Sequence, residues 1–228
     1  MNVPAPDPRL RTAADFVRQG AVFADIGTDH AYLPLFLLSE GKILRAVCTD
    51  INEGPLAAAR AHAALTPYKD KMTFRLADGA ACLADDGVTD VAICGMGGEL
   101  IADILSRAPF FEREGVRLIL QPMTRHTALR QYLADRGFSV LGEAFPLSEG
   151  KRYVVLAAEF SGSPYALSPV ERELGRITEE KLSDPAFREY AEGRARTLRK
   201  IAEGKRRGGE DSGEEESLLL QIRQLFTR

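Results

Sequence analysis

The sequence predicts an α/β protein built on a mostly parallel β-sheet with helices on both faces. Two observations support this fold class. Short apolar segments that end in polar or glycine residues predict five strands, over residues 21–26, 46–48, 72–76, 91–94 and 118–120. Segments of helical composition, over residues 56–65, 100–105 and 128–136, separate them, and this alternation is typical of βαβ units. A helix over residues 9–19, ended by Gly20, precedes the first strand.

The last two predicted strands, residues 139–145 and 153–160, are separated by a short turn around Gly150. Strands joined in this way form a hairpin, so one of them must run antiparallel at or near the sheet edge. Linker composition follows in the segment Ser-Gly-Ser-Pro, which divides the chain into a sheet domain, residues 1–162, and a C-terminal domain, residues 163–228.

The C-terminal domain is predicted to be helical. Ser168 and Glu171 form a capping box with proline at the first helical position. The helix is expected to restart at residues 184–185, where an aspartate precedes a proline. After a glycine-rich turn, Ser212 and Glu215 are expected to cap a final helix. One long arm and one short arm then make a helical hairpin.

Composition limits the class of protein. The 228 residues are 45% hydrophobic and 28% charged, which is typical of a globular chain. The net charge of −3 argues against a general nucleic-acid coat but is compatible with a local basic face. Cys48, Cys82 and Cys94 are widely spaced, so we expect core residues rather than disulfides or a metal site. No apolar run approaches the ~18 residues of a membrane span, which predicts a cytoplasmic protein without a membrane segment.

Acidic and glycine residues follow the first three strands, where open parallel sheets bind ligands. Asp25 and Gly27 end the first strand, and the glycine would allow a sharp turn and a close ligand approach. Asp50 ends the second strand and suits the two hydroxyls of a ribose. Asp78 and Gly79 follow the third strand, where a carboxylate could accept a bond from an adenine amine. The alternative for these acids is N-capping of the following helices.

The first turn separates two classes of cofactor. A dinucleotide site needs G-x-G-x-x-G, but the chain has G-T-D-H-A-Y, with Asp29 in place of the second glycine. A carboxylate there would repel a diphosphate and attract a cofactor that carries a sulfonium and an ammonium group. The sequence therefore favours S-adenosylmethionine.

Glycine and amide groups follow the fourth and fifth strands. Gly95, Met96 and Gly97 belong to a glycine-rich loop that could face a ligand with backbone, or could serve only close packing beneath a helix. Gln121 could donate to and accept from a base edge.

Three segments, D-I-G-T-D-H-A-Y-L-P at residues 25–34, G-M-G-G at 95–98 and L-Q-P at 120–122, closely resemble the TrmK family. These are bacterial S-adenosylmethionine-dependent methyltransferases that act on N1 of adenine 22 in tRNA. The resemblance covers residues 9–160 and extends more loosely into the tail. It implies a class I (Rossmann-like) methyltransferase domain followed by a coiled-coil-like helical domain, with tRNA as partner. The predicted cofactor-binding residues are Asp25, Gly27, Asp50, Ile51, Asp78, Gly79, Gly95, Met96 and Gly97.

The candidate catalytic residues are Asp29, His30, Tyr32 and Gln121. Adenine N1 carries a lone pair and no proton, so the reaction needs placement and charge stabilisation rather than a general base. N1 lies on the Watson–Crick edge, so the base must be unpaired or flipped. We expect Asp29 to receive the exocyclic amine or face the cationic product, with His30 or Tyr32 shaping the pocket. Alternatively, Asp29 caps a helix, His30 bonds a backbone carbonyl and Tyr32 serves packing. His62 and His126 are expected to have surface or structural roles.

The predicted RNA-binding residues are Arg9, Arg194, Arg196, Arg199 and Lys200. The last four belong to a basic patch over residues 194–207, which could contact phosphates. Alternatively, this patch is a solvated helix face or pairs with the acids that follow it. Two other functions remain open at this point, a small-molecule methyltransferase and a non-catalytic protein that binds S-adenosylmethionine and RNA. A monomer is favoured.

Overall fold

The computed structural model describes residues 5–80, 82–83 and 86–227. Its strands are β1 (Ala21–Ile26), β2 (Ile43–Asp50), β3 (Met72–Leu76), β4 (Asp90–Gly97), β5 (Arg117–Thr124), β6 (Phe138–Ala144), β7 (Leu147–Ser148), β8 (Lys151–Arg152) and β9 (Val155–Phe160). Its helices are α1 (Pro8–Phe16), α2 (Tyr32–Ser39), α3 (Glu53–Ala64), α4 (Gly98–Ser106), α5 (His126–Arg136), α6 (Pro169–Leu174), α7 (Glu179–Ser183), α8 (Pro185–Arg207) and α9 (Gly213–Leu225). The predicted α/β class and the order of its elements are confirmed.

The main sheet has seven strands in the order β3-β2-β1-β4-β5-β9-β6. Strands β1 to β5 pair in parallel, whereas β9 is antiparallel to both β5 and β6. The predicted antiparallel strand near the edge is therefore β9, with β6 outside it. The strand order reverses between β1 and β4, and ligands bind beyond the carboxyl ends of strands at such a switch point.

Two connections differ from the sequence prediction. A second hairpin, β7–β8, lies between β6 and β9, and its two-residue turn places Glu149 and Gly150 at φ 48° and 71°. Helix α1 ends at Phe16 rather than at residue 19. The chain leaves the helix there because the backbone N–H and guanidinium of Arg18 both bind the fully buried carboxylate of Asp90.

Each face of the sheet has its own apolar core. On one face, β1 and β4 side chains such as Ala24 and Ile93 pack with Ile101 of α4 and Leu129 of α5. On the other face, alternate residues pack with α1, α2 and α3. This alternation follows from the two-residue period of a strand. Within the described residues, no helix has the length and apolar character needed to cross a membrane.

The C-terminal helices agree with the prediction in their caps at Ser168 and Asp184. Two details differ. The first helix breaks at Gly175, whose φ of 79° is left-handed, before α7 begins. Ser212 does not cap α9 through its side chain, because its hydroxyl donates to the Glu216 carboxylate at 2.8 Å instead. Helices α8 and α9 pack as the expected hairpin of one long and one short arm.

A third core joins the C-terminal helices to the sheet domain. Phe145 and Val154, which flank the β7–β8 hairpin, pack with Leu174, Phe187 and Tyr190 of the tail. The proposed boundary at residue 162 therefore separates two segments that share buried apolar surface.

A buried ion cluster supports the same junction. Glu143 of β6 accepts bonds from the Arg130 guanidinium, at 3.2 and 2.8 Å, and from the Lys181 ammonium. Burial alone would raise the pKa of Glu143, but the nearby charges of Arg130 and Lys181 outweigh it and hold the pKa below its ordinary value. Glu143 therefore remains ionised and links α5 of the sheet domain to α7 of the tail.

Candidate active site

Asp25 lies at the carboxyl end of β1 and is only 8% exposed. The hydroxyl of Thr28 donates to its carboxylate at 2.6 Å. Burial raises the pKa of Asp25 to about 6 despite this hydrogen bond, and the negative charge of Asp50 adds to the rise. The first predicted acid is thus a buried group that titrates close to neutral pH.

The turn after β1 has an unusual backbone. The N–H groups of Gly27 and Thr28 both donate to the carbonyl of Thr49, at 2.8 and 3.0 Å, which ties the turn to β2. Gly27 has φ 74°, and His30 and Ala31 have φ 57° and 56°. Two successive non-glycine residues in the left-handed region are rare and cost conformational free energy. This path brings the chain into α2 with Asp29 and His30 exposed.

Asp29, His30 and Tyr32 lie together at this turn. The Asp29 carboxylate, whose side chain is 77% exposed, lies 3.4 Å from Nε2 of His30. The ring of His30 stacks on Tyr32 with centroids 5.5 Å apart, and His62 meets Tyr32 edge-on at 5.3 Å. Nδ1 of His62 lies 2.8 Å from the His30 carbonyl oxygen. His62 thus has the structural role expected of it, and that role is to hold the turn that carries the candidate catalytic residues.

Asp50 ends β2 beside two exposed apolar side chains. One of its carboxylate oxygens accepts from the backbone N–H of Asn52 at 2.7 Å. Ile51 is 67% exposed and Leu76, the β3 partner of Asp50, is 58% exposed. A carboxylate flanked by apolar surface suits a ribose that carries a planar base.

Asp78 is paired with a cation that the sequence analysis did not identify. The guanidinium of Arg107, which follows α4, binds the Asp78 carboxylate and also Asp103 at 2.9 Å. Gly79 beside it has φ 59°. No local sequence pattern indicates the Arg107 contact, because the two residues are 29 positions apart.

The glycine-rich loop is close-packed. Gly95 has φ 79°, and its N–H donates to Oε1 of Gln121 at 3.1 Å. A Cβ on Gly27 would overlap with the terminal methyl of Met96, and a Cβ on Gly98 would overlap with the backbone carbonyl of Arg125. The approach of Gly98 to the backbone at the start of α5 therefore requires glycine, whereas the Met96 side chain beside Gly27 could move aside.

Gln121 differs from its expected role. It is 1% exposed, and its amide N–H also donates to the Pro122 carbonyl at 3.1 Å. With both ends of the amide bonded to the protein, Gln121 positions the glycine-rich loop and does not present its amide to a base.

The structure divides the predicted RNA-binding residues. Arg9 bonds Met123 at the end of β5 and covers the ring of Tyr153, with 5.2 Å from guanidinium carbon to ring centroid. Arg194 differs from the prediction because its guanidinium is paired with the buried carboxylate of Glu173. Arg196, Arg199 and Lys200 are exposed on α8. Farther along α8, Lys205 and Arg206 pair with Glu215 and Glu216, the alternative expected for this patch.

The donor set at the strand ends fits S-adenosylmethionine. Carboxylates end β1 and β2 and follow β3, and apolar side chains flank the second of them. The turn after β1 offers a carboxylate where a diphosphate would need bare backbone. A cofactor with a ribose, an adenine and cationic groups satisfies these features.

A family model described as a methyltransferase domain matches residues 7–156. The tRNA (adenine(22)-N(1))-methyltransferase of Bacillus subtilis (strain 168) is 32% identical over 169 residues, which are 74% of this chain and 71% of that protein. The chain belongs to the TrmK family. This confirms the resemblance that the three sequence segments indicated.

Solved structures extend the TrmK likeness to the tail. Sp1610 of Streptococcus pneumoniae, described as a candidate tRNA (m1A22) methyltransferase and crystallised with S-adenosyl-L-methionine, has a TM-score of 0.81 and 33% identity, covering 96% of this chain and 98% of that one. The Bacillus subtilis TrmK structure has a TM-score of 0.76 and 25% identity, covering 99% and 97%. The helical C-terminal domain is thus part of the shared TrmK fold.

Proposed function

We propose that this TrmK-family protein is an S-adenosylmethionine-dependent methyltransferase that modifies N1 of an adenine in tRNA, the adenine at position 22. The observation that carries the proposal is the set of carboxylates that end β1 and β2 and follow β3 beside the turn formed by Asp29, His30 and Tyr32. Membership of the TrmK family supports the choice of tRNA as substrate.

In this proposal the cofactor lies across the ends of β1, β2 and β3. Asp50 holds the ribose hydroxyls, and the exposed side chains of Ile51 and Leu76 contact the adenine ring. Asp78 accepts from the adenine amine with one oxygen while Arg107 holds the carboxylate. The remaining cofactor contacts come from the turn and loop residues Asp25, Gly27, Gly79, Gly95, Met96 and Gly97.

When bound, S-adenosylmethionine would supply the methyl group of its sulfonium. N1 of the target adenine would form the new C–N bond with its lone pair while the S–CH3 bond breaks and S-adenosylhomocysteine leaves. The protein has no proton to remove, so its task is to hold the base and to stabilise the positive charge that develops on it. Asp29 is placed for this role because its carboxylate is exposed, unlike that of Asp25. His30 and Tyr32 form a stacked pair beside it that can shape a base pocket.

The tRNA contacts in this proposal come from the exposed cations Arg196, Arg199 and Lys200 of α8 and from Arg9, which is partly buried and also pairs with Asp7 at 2.8 Å. Arg194 is left out because its partner, the carboxylate of Glu173, is buried and holds the guanidinium against the protein, whereas the Asp7 partner of Arg9 is partly exposed. A tRNA substrate also implies a cytoplasmic enzyme, and we propose that it works as a monomer.

Isotopic methyl transfer to unmodified tRNA, followed by nucleoside mass spectrometry, tests the function. We expect 1-methyladenosine with the wild-type protein. Asp29→Asn should lower the rate by roughly 10²- to 10³-fold with little change in cofactor affinity, because it keeps the shape and removes the charge. Asp15→Asn is the matched control. It changes an exposed aspartate on α1 and should leave the rate unchanged.

The contrary outcomes are distinct. A raised Michaelis constant for the cofactor with normal turnover would place Asp29 on the cofactor rather than on the base. No methyl transfer from saturating cofactor would favour a non-catalytic binding protein. Methylation of a small metabolite alone would favour the small-molecule enzyme. Deleting the tail is not a clean test of RNA binding, because its helices cover Phe145 and Val154.

A further inference from the structure

A cleft of about 440 Å³ separates the β7–β8 hairpin from helix α8. Its sheet-domain side includes Met123, His126 and Tyr153, and its helical side includes Tyr190, Arg196 and Lys200. Neither the family likeness nor the proposed catalytic residues account for this cleft, which opens beside the active-site edge of the sheet.

The cleft borders the carboxyl end of β5. The amide nitrogen of Gln121, which holds Gly95, lies 3.5 Å from the sulfur of Met123. Met123 lines the cleft and also accepts from Arg9 at 3.0 Å. Met123 thus lines the cleft and also contacts the residue that holds the glycine-rich loop.

The walls of the cleft near its floor are apolar and aromatic. His126 is buried and packs edge-on against Tyr190, with ring centroids 6.2 Å apart. Burial lowers the pKa of His126 to about 3, and the charges of Arg194 and Arg130 contribute, so the imidazole is neutral. Tyr153 adds a half-buried ring that carries the Arg9 guanidinium on one face. Such surfaces suit a base that stacks on aromatic and guanidinium planes.

The rim of the cleft includes two cations, Arg196 and Lys200, that form no ion pair with the described residues. Two of the lining arginines already have partners within the protein. Arg152 donates to the Glu189 carboxylate at 2.7 Å and to the Phe145 carbonyl at 3.0 Å. Arg194 is paired with Glu173. In the described part of the chain, no ion pair involves Arg196 or Lys200. These two residues are four positions apart on α8, so their side chains lie on one face about 5–6 Å apart at Cβ. This spacing allows both to reach one phosphate.

We propose that this cleft binds a nucleotide of the unpaired RNA strand next to the target adenine, with the base against Tyr153 and the phosphate between Arg196 and Lys200. This inference rests on the proposed function and adds the position of a flanking nucleotide. The charged residues that line the cleft are five cations, Lys151, Arg152, Arg194, Arg196 and Lys200, and two acids, Glu189 and Glu192. A neutral aromatic floor beneath this excess of positive charge matches a nucleotide, which has one apolar face and one anionic group. An acidic peptide would use the rim but not the floor.

Binding of a fluorescently labelled tRNA transcript, measured by anisotropy, tests the rim. Lys200→Glu should weaken binding about tenfold or more at low salt and reduce the slope of log Kd against log salt by about 1. Lys71→Glu is the charge-matched control, because this exposed lysine precedes β3 at the opposite edge of the sheet. It should change binding less than about twofold. Equal effects of the two variants would show a diffuse charge effect and overturn the proposal.

Abasic substitutions in the RNA test the floor. Each nucleotide that flanks the methylated adenine is replaced in turn by an abasic site, and binding is measured for wild-type, Tyr153→Phe and Tyr153→Ala proteins. We expect one position at which the abasic site weakens binding about tenfold for the wild-type and Tyr153→Phe proteins. The Tyr153→Ala protein, which lacks the ring, should bind the abasic RNA at that position as tightly as it binds the unmodified RNA. The proposal is wrong if no position couples to Tyr153 or if the wild-type protein does not bind tRNA.

These binding measurements are independent of catalysis. Bound tRNA that acquires no methyl group would contradict the proposed function while leaving the cleft intact. Methylation with unaltered binding of the Lys200 and Tyr153 variants would contradict the cleft and the proposed Lys200 contact but not the proposed reaction.

Discussion

The buried carboxyl of Asp25 should make the free protein less stable as the pH rises through the weakly acidic range. Its pKa is raised from 3.8 to about 6 because the side chain is buried beside Asp50. Between these two values the folded protein binds a proton that the unfolded chain has lost, so unfolding becomes more favourable as the pH rises. The penalty is complete above pH 6 and absent below pH 4.

The size of the effect follows from the shift in pKa. A rise from 3.8 to about 6, at about 1.4 kcal/mol per pKa unit, amounts to about 3 kcal/mol at pH 7. Asp25→Asn removes the ionisation but keeps the size of the side chain and an oxygen that can accept from Thr28. We expect the free energy of unfolding of the variant to exceed that of the wild type by about 3 kcal/mol at pH 7 and to differ little from it at pH 4.

Urea denaturation of the two proteins at several pH values between 4 and 8 measures this difference. Asp15→Asn, which changes an exposed aspartate on α1, is the control for the loss of one carboxyl group. A difference in unfolding free energy that does not grow between pH 4 and pH 6 would refute the reasoning. It would mean that Asp25 is ionised in the folded protein at acidic pH, held by contacts that outweigh its burial.

Three further predictions concern the site and its support. Asp50→Ala should weaken S-adenosylmethionine binding by about 1–3 kcal/mol in calorimetry, because two hydroxyl contacts are lost. Asp78→Ala should weaken it by less, because one amine contact is lost. A variant that binds the cofactor as tightly as the wild type would remove the substituted residue from the site. Gly98→Ala should lower the unfolding free energy by roughly 1–3 kcal/mol, because its Cβ would overlap with a backbone carbonyl, whereas Gly54→Ala, with open space around it, should not. Glu143→Gln should cost about 3–5 kcal/mol in thermal or urea unfolding, because it leaves two buried cations without their shared carboxylate; a loss below 1 kcal/mol would contradict that reading.

The sequence predicts the sheet better than it predicts the contacts between segments. The bounds of β1 and β3 match the prediction because β1 is apolar except for Asp25 and is enclosed by glycines, and because β3 alternates apolar and polar residues from Met72 to Leu76. β2 and β5 extend beyond their apolar centres, since ladder hydrogen bonds with neighbouring strands continue where the side chains become polar. A polar residue after an apolar run therefore shows where the run ends, but the strand itself can continue beyond it.

The misplaced site residues share one cause, which is a partner distant in sequence. The amide oxygen of Gln121 is occupied because it accepts a hydrogen bond from the N–H of Gly95, 26 residues earlier. Arg194 is neutralised by Glu173, 21 residues earlier on a different helix. Both residue types and their positions favour ligand contacts when the chain is considered locally, and only the packed structure shows that these groups are already bonded.

In the proposed site the acids and the cations lie on different sides, an arrangement that suits a cationic cofactor on one side and an anionic RNA on the other. Asp25, Asp29, Asp50 and Asp78 lie in or after the first three strands, and the first of them is costly to ionise in the free protein. A cationic cofactor would relieve that cost, so its binding should lower the pKa of Asp25 and increase in strength as the pH rises through about 6. RNA, a polyanion, would be repelled by the same acids. The cations proposed to hold it lie instead on α1 and α8, beyond β5. The target base can therefore enter between an acidic cofactor site and a basic surface for its backbone.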